Sequence, residues 1–239
     1  MSKNRRTITD HFYDHMSRGE RILLLIYLPI HIFAMPALLA LLMTHMGIEY
    51  TEITLNFLYY AAGAVLVFLI ARRFLRAEFD PLCDNWMKVL LSVLEGYLIM
   101  TALALILSAV KLGVGLDGAN PNNSSVQSML GSQFGKMFTL TVLLAPLVEE
   151  PIFRGAIFSG IRVMNRVWAY IVTILLFGLY HVWQYAYISG DYKYLIYVID
   201  YIPATFALCW TYDRTDTIWS PIILHMLINA VSLTALGNM

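Results

Sequence analysis

Long apolar stretches alternate with short polar connections along the whole chain. Several of these stretches are about 17–25 residues long, which matches the roughly 20 residues that a helix needs to cross the hydrocarbon core of a bilayer. The pattern predicts an all-α fold, a polytopic transmembrane helix bundle of about seven spans, with eight spans as the alternative. The predicted spans are residues 22–44, 55–71, 89–110, 135–153, 167–188, 194–212 and 217–236.

The fourth predicted span, residues 135–153, is the least regular. Pro146 and Pro151 interrupt its second half, and a proline removes a backbone donor and strains the helical turn before it. A re-entrant piece is therefore the alternative to a full span. The preceding residues 111–134 are rich in turn-forming residues and are predicted to form a mobile loop. Because no repeat or separate soluble domain is visible, residues 1–239 are interpreted as a single membrane domain.

The composition supports a membrane protein. Apolar residues make up 59% of the chain and charged residues 13%, whereas soluble proteins have roughly 45–50% and about 25%. The net charge is +0, and no basic stripe with interleaved aromatic residues lies outside the apolar runs. Lipid is therefore the expected surrounding, and nucleic acid is not expected as a partner. Cys83 and Cys209 show neither a disulfide framework nor metal-ligand spacing.

Basic residues are distributed unevenly between the two sets of connections. If the spans alternate, Lys111, Lys136 and Lys193 lie on one side and most other basic residues lie on the opposite side. Because positively charged connections stay in the cytoplasm, the pattern predicts a multi-pass protein of the cell (cytoplasmic) membrane with a cytoplasmic N-terminal segment, residues 1–21. The residues on the basic side are Lys3, Arg5, Arg6, Arg18, Arg21, Arg72, Arg73, Arg76, Lys88, Arg162, Arg166 and Arg214.

The first ionisable group inside a predicted span is Glu149-Glu150-Pro151-Ile152-Phe153-Arg154. A charge at bilayer depth is costly, so such residues usually line an interior cavity where they have partners. Glu150 and Arg154 are four residues apart and can pair on one helix face, which leaves Glu149 about 100° away. The pair can serve as a structural lock at the membrane boundary, while Glu149 is a candidate for proton transfer.

Two further groups lie on later apolar segments. His181 ends the motif Phe177-Gly178-Leu179-Tyr180-His181, and His225 stands one helical turn before Asn229 on the last span. A lone histidine on an apolar helix is more often a packing residue, and His225 with Asn229 can be explained by hydrogen bonds between helices. As fixed donors in a dry site, the same two side chains can instead stabilise an oxyanion.

The combination EExxxR, FxxxH and HxxxN, in this order and on separate apolar segments, is more specific than any of its parts. It resembles the CPBP family of intramembrane peptidases, named for CAAX proteases and bacteriocin-processing enzymes and also called the Abi family. The resemblance covers roughly residues 140–230. It implies a hydrolase, a glutamic-type endopeptidase that needs no metal or other cofactor, with residues 135–236 as the catalytic helical core.

The resemblance also implies roles for individual residues. Glu149 and His181 would activate a water for attack on a peptide bond, and His225 and Asn229 would form the oxyanion site. Glu150 and Arg154 would be supporting residues that orient Glu149 and hold the helix end. The implied substrate is a membrane-associated peptide or protein, prenylated in one branch of the family. Entry from the cytoplasmic, arginine-rich side is expected.

Three alternatives remain from the residues alone. Two glutamates and two histidines could ligate zinc, although no HExxH motif is present. A non-catalytic bacteriocin-immunity or scaffold protein could bind partners through the same polar cavity. A proton-coupled transporter could use buried Glu and His as a relay, but the inverted repeats typical of transporters are not visible.

Four other residues are assigned mainly structural roles. Glu95 and Asp200 lie in predicted spans, where packing contacts between helices are the first interpretation and lining the cavity is the second. His31 in the first span is interpreted as a packing residue. Tyr59, near the end of the second span, is interpreted as an anchor at the membrane interface.

Overall fold

The fold is given by a computed structural model, which describes residues 12–116, 118, 120–130 and 133–237. These residues form helices and connecting turns and contain no strand, so the predicted all-α class is confirmed. Residues 1–11, the first half of the predicted N-terminal segment, lie outside the described residues. The helices are α1 (Arg18–His45), α2 (Glu52–Ile70), α3 (Arg72–Ala77), α4 (Phe79–Asp84), α5 (Trp86–Gly113), α6 (Pro121–Leu130), α7 (Phe134 to Arg162), α8 (Arg166–Ser189), α9 (Tyr192–Thr215) and α10 (Trp219–Gly237).

Six of the described helices, α1, α2, α5, α8, α9 and α10, are long and apolar enough to cross a membrane. Their outer faces carry many exposed large apolar side chains, for example Leu41, Phe68 and Leu105. Exposing these side chains to water would be unfavourable, whereas the acyl chains of a lipid bilayer can surround them. The chain is a multi-pass membrane protein.

The predicted span at residues 135–153 lies inside α7, which is a buried and irregular helix. Consecutive stretches give α7 two π-helical turns, at Thr139–Leu144 and Pro151–Phe158. From Pro151 to Phe158 every residue is buried. The helix packs against α1, α2, α8 and α10. α7 therefore lies at the centre of the bundle. The neighbouring helices surround its polar motif, Glu149 to Arg154, and separate it from lipid.

Local capping residues explain two differences from the predicted boundaries. α1 begins at Arg18 instead of residue 22, because Ser17 accepts a hydrogen bond from the Glu20 N–H while the Glu20 carboxylate accepts one from the Ser17 N–H. The predicted mobile loop at residues 111–134 contains the helix α6. Pro121 starts this helix, and the Asn120 side chain accepts a hydrogen bond from the Asn122 N–H.

Ion pairs hold the helix ends together at both ends of the bundle. At the arginine-rich end, Asp213 accepts a hydrogen bond from Arg162 at 2.6 Å and forms an ion pair with Arg166 at 2.8 Å. At the opposite end, Lys111 lies 2.6 Å from Asp200. Arg162 and Arg166, two of the basic residues predicted to share one side, thus join α7 and α8 to α9 through Asp213.

The segment before α1 is attached to the bundle through a buried carboxylate. Glu78, between α3 and α4, is fully buried and accepts hydrogen bonds from the Ile218 N–H at 2.7 Å and from the Tyr212 hydroxyl at 3.3 Å. His15 approaches the same carboxylate at 3.1 Å through its Nδ1 atom. Glu78 therefore joins the N-terminal segment to the start of α10.

The contact between His15 and Glu78 predicts a pH-dependent contribution to stability. The hydrogen bond to Glu78 raises the pKa of His15, against the opposing effect of its partial burial. A raised pKa means that the stabilisation is complete below the unfolded value of about 6.5 and is lost as the pH rises through the folded value. We expect His15→Gln to lower the free energy of unfolding in detergent at about pH 5.5 by about 1 kcal/mol or less, seen as a lower thermal midpoint, and to have little effect near pH 9.

The exposed His45, at the end of α1, offers a matched control. His45→Gln should change the midpoint equally little at both pH values. A His15→Gln effect that grows with rising pH would contradict the assigned role of the ion pair.

Candidate active site

Three of the predicted site residues converge from three helices. Glu149 on α7 places its Oε2 atom 3.9 Å from the Nε2 of His181 on α8 and 4.0 Å from the Nε2 of His225 on α10. The side chain of Glu149 is only 4% exposed and that of His225 8%, while that of His181 is 17% exposed. One carboxylate oxygen therefore faces two imidazoles inside the bundle.

Glu150 is held by two partners in the buried interior. Its Oε1 accepts hydrogen bonds from Arg154 at 2.9 Å and from the His225 Nδ1 at 2.6 Å. The Arg154 guanidinium also lies 4.5 Å from the centre of the Phe177 ring, a cation–π contact. The i,i+4 pair expected from the sequence is thus present, and through Glu150 it also orients His225.

The two histidines differ in the partner of their Nδ1 atom. The Nδ1–H of His181 donates to the Phe177 carbonyl at 2.8 Å, so the Nε2 of the neutral ring is an acceptor directed at Glu149. The Nδ1–H of His225 donates to a carboxylate instead. Because these partners fix the rings, His181 presents a lone pair, whereas His225 in its imidazolium form presents an N–H.

Glycine at position 178 permits the close packing behind His181. A β-carbon there would lie 2.8 Å from a side-chain atom of Val198 and 2.9 Å from the Val198 carbonyl oxygen. Because glycine has no β-carbon, α8 can pack against the first, 3₁₀-helical part of α9. Tyr201 then stacks on the His181 ring, with 4.5 Å between the ring centroids. The segment from Phe177 to His181 therefore contains both the histidine and the glycine that permits the close packing around it.

Asn229 reaches the site through an irregularity of α7. The Ala145 N–H bonds to the Leu140 carbonyl, five residues back, and the following residue, Pro146, has no N–H for the Thr141 carbonyl. The Asn229 Nδ2 donates to this carbonyl at 2.8 Å. The bond fixes the amide beside the cavity and leaves Nδ2 one further hydrogen.

A cavity of about 450 Å³ contains all four of Glu149, His181, His225 and Asn229 in its lining. Its other lining residues include the exposed Glu52 and Asn123, at the end of the bundle opposite to the arginines. The cavity therefore extends away from the arginine-rich side, which is the side from which entry is expected. On that side, buried Ile152, Phe153 and the Glu150–Arg154 pair close the floor of the site.

Two hydroxyl groups that were not predicted from the sequence also lie in the site. Tyr60 donates a hydrogen bond to the Glu149 Oε1 at 3.0 Å, and its oxygen lies 3.0 Å from the Tyr180 hydroxyl. Tyr180 directly precedes His181, so the motif itself contained a signal. For Tyr60, the sequence contains no signal of a role in the site beyond a hydroxyl group in an apolar span.

The other polar residues divide between the inside and the outside of the bundle. Tyr59 is buried and stacks on His31 with ring centroids 4.3 Å apart, so its assignment as an interface anchor is wrong. Asp200 lines the cavity. Glu95 pairs instead with Arg214 at 3.3 Å, and both side chains are about half exposed.

The described part of the chain contains no cluster of three or more His, Cys, Asp and Glu side chains with an arrangement that could hold a metal ion. Glu150, which would complete a set around Glu149, is already engaged by Arg154 and His225. The geometry thus offers carboxylate and imidazole groups for proton transfer.

Comparisons with known proteins identify the segment that carries the site. Residues 132–231 match the family model described as Type II CAAX prenyl endopeptidase Rce1-like. A protein of Bacillus subtilis (strain 168) named "Putative membrane peptidase YdiL" is 30% identical over 94 residues, which are 39% of this chain and 34% of that protein. The match thus spans about a third of the length of this relative. No solved structure matches the chain. The resemblance to the CPBP family is confirmed over residues 132–231, which include every predicted site residue.

The buried pair of Glu150 and Arg154 predicts a large loss of stability when its cation is removed. Arg154→Met should lower the free energy of unfolding by about 3–5 kcal/mol, because the Glu150 carboxylate would remain buried without its cationic partner. Thermal unfolding of the purified protein in detergent measures the effect.

Arg166→Met is the matched control, since Arg166 is about half exposed and its partner Asp213 keeps Arg162. Its expected cost is about 0–1 kcal/mol. Equal costs for the two variants would contradict the assignment of Glu150–Arg154 as the buried ion pair of the site.

Proposed function

We propose that this protein is an intramembrane endopeptidase that hydrolyses a peptide bond with Glu149 as the general base. The observation that carries the proposal is the position of the Glu149 Oε2 about 4 Å from the Nε2 atoms of both His181 and His225. These distances are too long for direct hydrogen bonds and suit a water held between the groups. The family match over residues 132–231 gives independent support.

The first chemical step is the attack of water on the scissile carbonyl carbon. Glu149 takes one proton from the water as the new C–O bond forms, and the carbonyl π electrons move to oxygen as an oxyanion. In the second step the oxyanion re-forms the carbonyl, the C–N bond breaks, and Glu149 returns the proton to the amine. The products are a carboxylic acid and an amine, and Glu149 is regenerated.

His181 is the second acceptor for the water in this proposal. Its Nδ1–H is engaged by the Phe177 carbonyl, so the Nε2 lone pair can accept the other O–H of the water. Two acceptors at fixed positions orient the water oxygen toward the substrate. Such positioning removes rotational freedom before the reaction and lowers the barrier.

His225 and Asn229 are the proposed donors to the oxyanion. They lie one turn apart on α10, and each is anchored by its other hydrogen bond, to Glu150 and to the Thr141 carbonyl respectively. Preorganised donors in a buried cavity stabilise the developing negative charge without reorganisation at the moment of reaction. Glu150 and Arg154 act as supports of this arrangement.

The proposed substrate is a membrane-associated peptide or protein whose chain enters the cavity in an extended form. The description of the matched family names prenylated CAAX substrates, and a prenylated peptide is the first substrate to test. Residues 135–236 are the proposed catalytic core, placed in a cell membrane with the N-terminus in the cytoplasm.

Replacement of the base tests the proposal directly. Glu149→Gln keeps the size and the hydrogen bond from Tyr60 but cannot accept a proton from water. We expect cleavage to fall by at least about 10²-fold. The measurement compares protein termini in cells that carry the wild-type or the variant protein, followed by cleavage of a reporter peptide that spans the termini that disappear.

Glu95→Gln is the matched control, because Glu95 pairs with Arg214 outside the cavity. It should leave the termini unchanged. Termini that remain in cells with Glu149→Gln, inserted at the wild-type level, would exclude Glu149 as the base. A biological effect retained without any changed terminus would favour the binding function.

Chelation separates the metal-free reaction from the zinc alternative. Cleavage should continue at an unchanged rate after dialysis against EDTA or 1,10-phenanthroline, because the proposed water is activated by Glu149 and His181 alone. A loss of activity that added Zn²⁺ restores would instead support a zinc peptidase.

A further inference from the structure

We propose that a hydrogen-bonded chain from α1 and α2 holds Glu149 in its ionised form, with Tyr60 as the positioning residue that contacts it. The proposal rests on the proposed function, in which Glu149 is the general base. It assigns a role in the site to two helices that precede the matched segment 132–231.

The chain has four consecutive links. The Tyr60 hydroxyl lies 3.0 Å from the Glu149 Oε1 and 3.0 Å from the Tyr180 hydroxyl. The Tyr180 hydroxyl lies 3.4 Å from the His31 Nε2, and the His31 Nδ1 lies 3.0 Å from the Tyr27 hydroxyl. Glu149 is thus connected to the first helix of the bundle through side-chain atoms alone.

The donors of this chain can be assigned from its end at Glu149. An ionised carboxylate only accepts, so Tyr60 must donate to it and can then accept from Tyr180. Tyr180, having donated, accepts from the His31 Nε2–H, and the His31 Nδ1 accepts from Tyr27. Each group donates once and in the direction of Glu149. Hydrogen bonds aligned in this way polarise one another and strengthen the last one, at the carboxylate.

The surrounding structure places the imidazole of His31 within reach of Tyr180. His31 lies in a π-helical turn of α1, Ile30–Ala34, and is only 1% exposed. Gly63 on α2 faces it, and a β-carbon there would lie 3.0 Å from the Tyr27 hydroxyl and 3.2 Å from the His31 ring. The close approach of α1 to α2 therefore depends on a glycine, and π-helical turns often occur at functional sites.

Tyr60 differs from the other groups around Glu149 by its distance. The nearest histidine nitrogens are 3.9 and 4.0 Å from the carboxylate, beyond direct hydrogen bonding, whereas the Tyr60 hydroxyl donates at 3.0 Å. Removing this one donor should therefore disfavour the ionised base. The titratable and charged groups facing Glu149 are Glu150 and Arg154 on α7, His181 and Tyr180 on α8, His225 on α10, and Tyr59 and Tyr60 on α2.

The test measures the pH dependence of kcat/KM for Tyr60→Phe with the full-length protein. The acidic limb of the profile should move to higher pH by about one to two units, the effect of losing one hydrogen bond to a charged group. The rate should recover toward the wild-type value at alkaline pH. His31→Leu should move the limb in the same direction by a smaller amount, because it removes the donor of the third link from Glu149.

Tyr170→Phe is the matched control. Tyr170 on α8 also donates its hydroxyl to a carboxylate, Asp213 at 3.2 Å, but it lies outside the cavity lining. It should leave the acidic limb in place. An unmoved limb in Tyr60→Phe, or an equal shift in Tyr170→Phe, overturns the proposal.

A spectroscopic measurement separates this proposal from the proposed function. The infrared band of the protonated Glu149 carboxyl, assigned by its absence in Glu149→Gln, should appear at higher pH in Tyr60→Phe than in the wild type. This shift would support the role of the hydrogen-bonded chain even if the protein cleaved no peptide. If cleavage depends on Glu149 but the band does not shift, the proposed peptidase function stands and the proposed role of the hydrogen-bonded chain is overturned.

Discussion

The burial of two adjacent carboxylates is the constraint on which the rest of this structure depends. A charge removed from water is stable only when it is paired and hydrogen-bonded. The Oε1 atom of Glu150 has such partners in Arg154 and His225, at 2.9 and 2.6 Å. The hydrogen bond from His225 to Glu150 also orients the His225 ring toward Glu149. The support of one carboxylate and the construction of the site are thus a single interaction.

Irregular helix geometry supplies the remaining polar groups. A regular α-helix uses its own carbonyls, so it offers few backbone partners inside a membrane. In α7, the π-helical turn at Thr139–Leu144 followed by Pro146 frees the Thr141 carbonyl, which anchors Asn229. In α1, a similar turn holds His31. At both turns, a side-chain hydrogen bond connects the irregular segment to a neighbouring helix.

The two ends of the bundle differ in a way that suits access to the site. Below Glu149, the apolar core and the Glu150–Arg154 pair close the structure toward the arginine-rich end. Toward the other end, the cavity reaches α6 and the start of α2. In the proposed function, substrate entry through this mouth would leave the packed floor undisturbed.

The sequence by itself determined the membrane class, most of the spans and the residues of the motif. Apolar run length fixes the first two, because the bilayer has a fixed thickness. The four-residue spacing fixes the pair of Glu150 and Arg154, since both lie on one helix. Such information is local, and it extends only as far as one element.

The tertiary structure decided which groups meet across helices. The contacts of Glu150 with His225 and of Glu149 with Tyr60 join residues 75 and 89 positions apart, and no periodicity encodes them. Tyr59 and His31 looked like ordinary aromatic and packing residues because the stacking of their rings and the contact of His31 with Tyr180 form only after α1, α2 and α8 assemble. The helix α6 and the side of the mouth likewise depend on how the ends of the bundle pack.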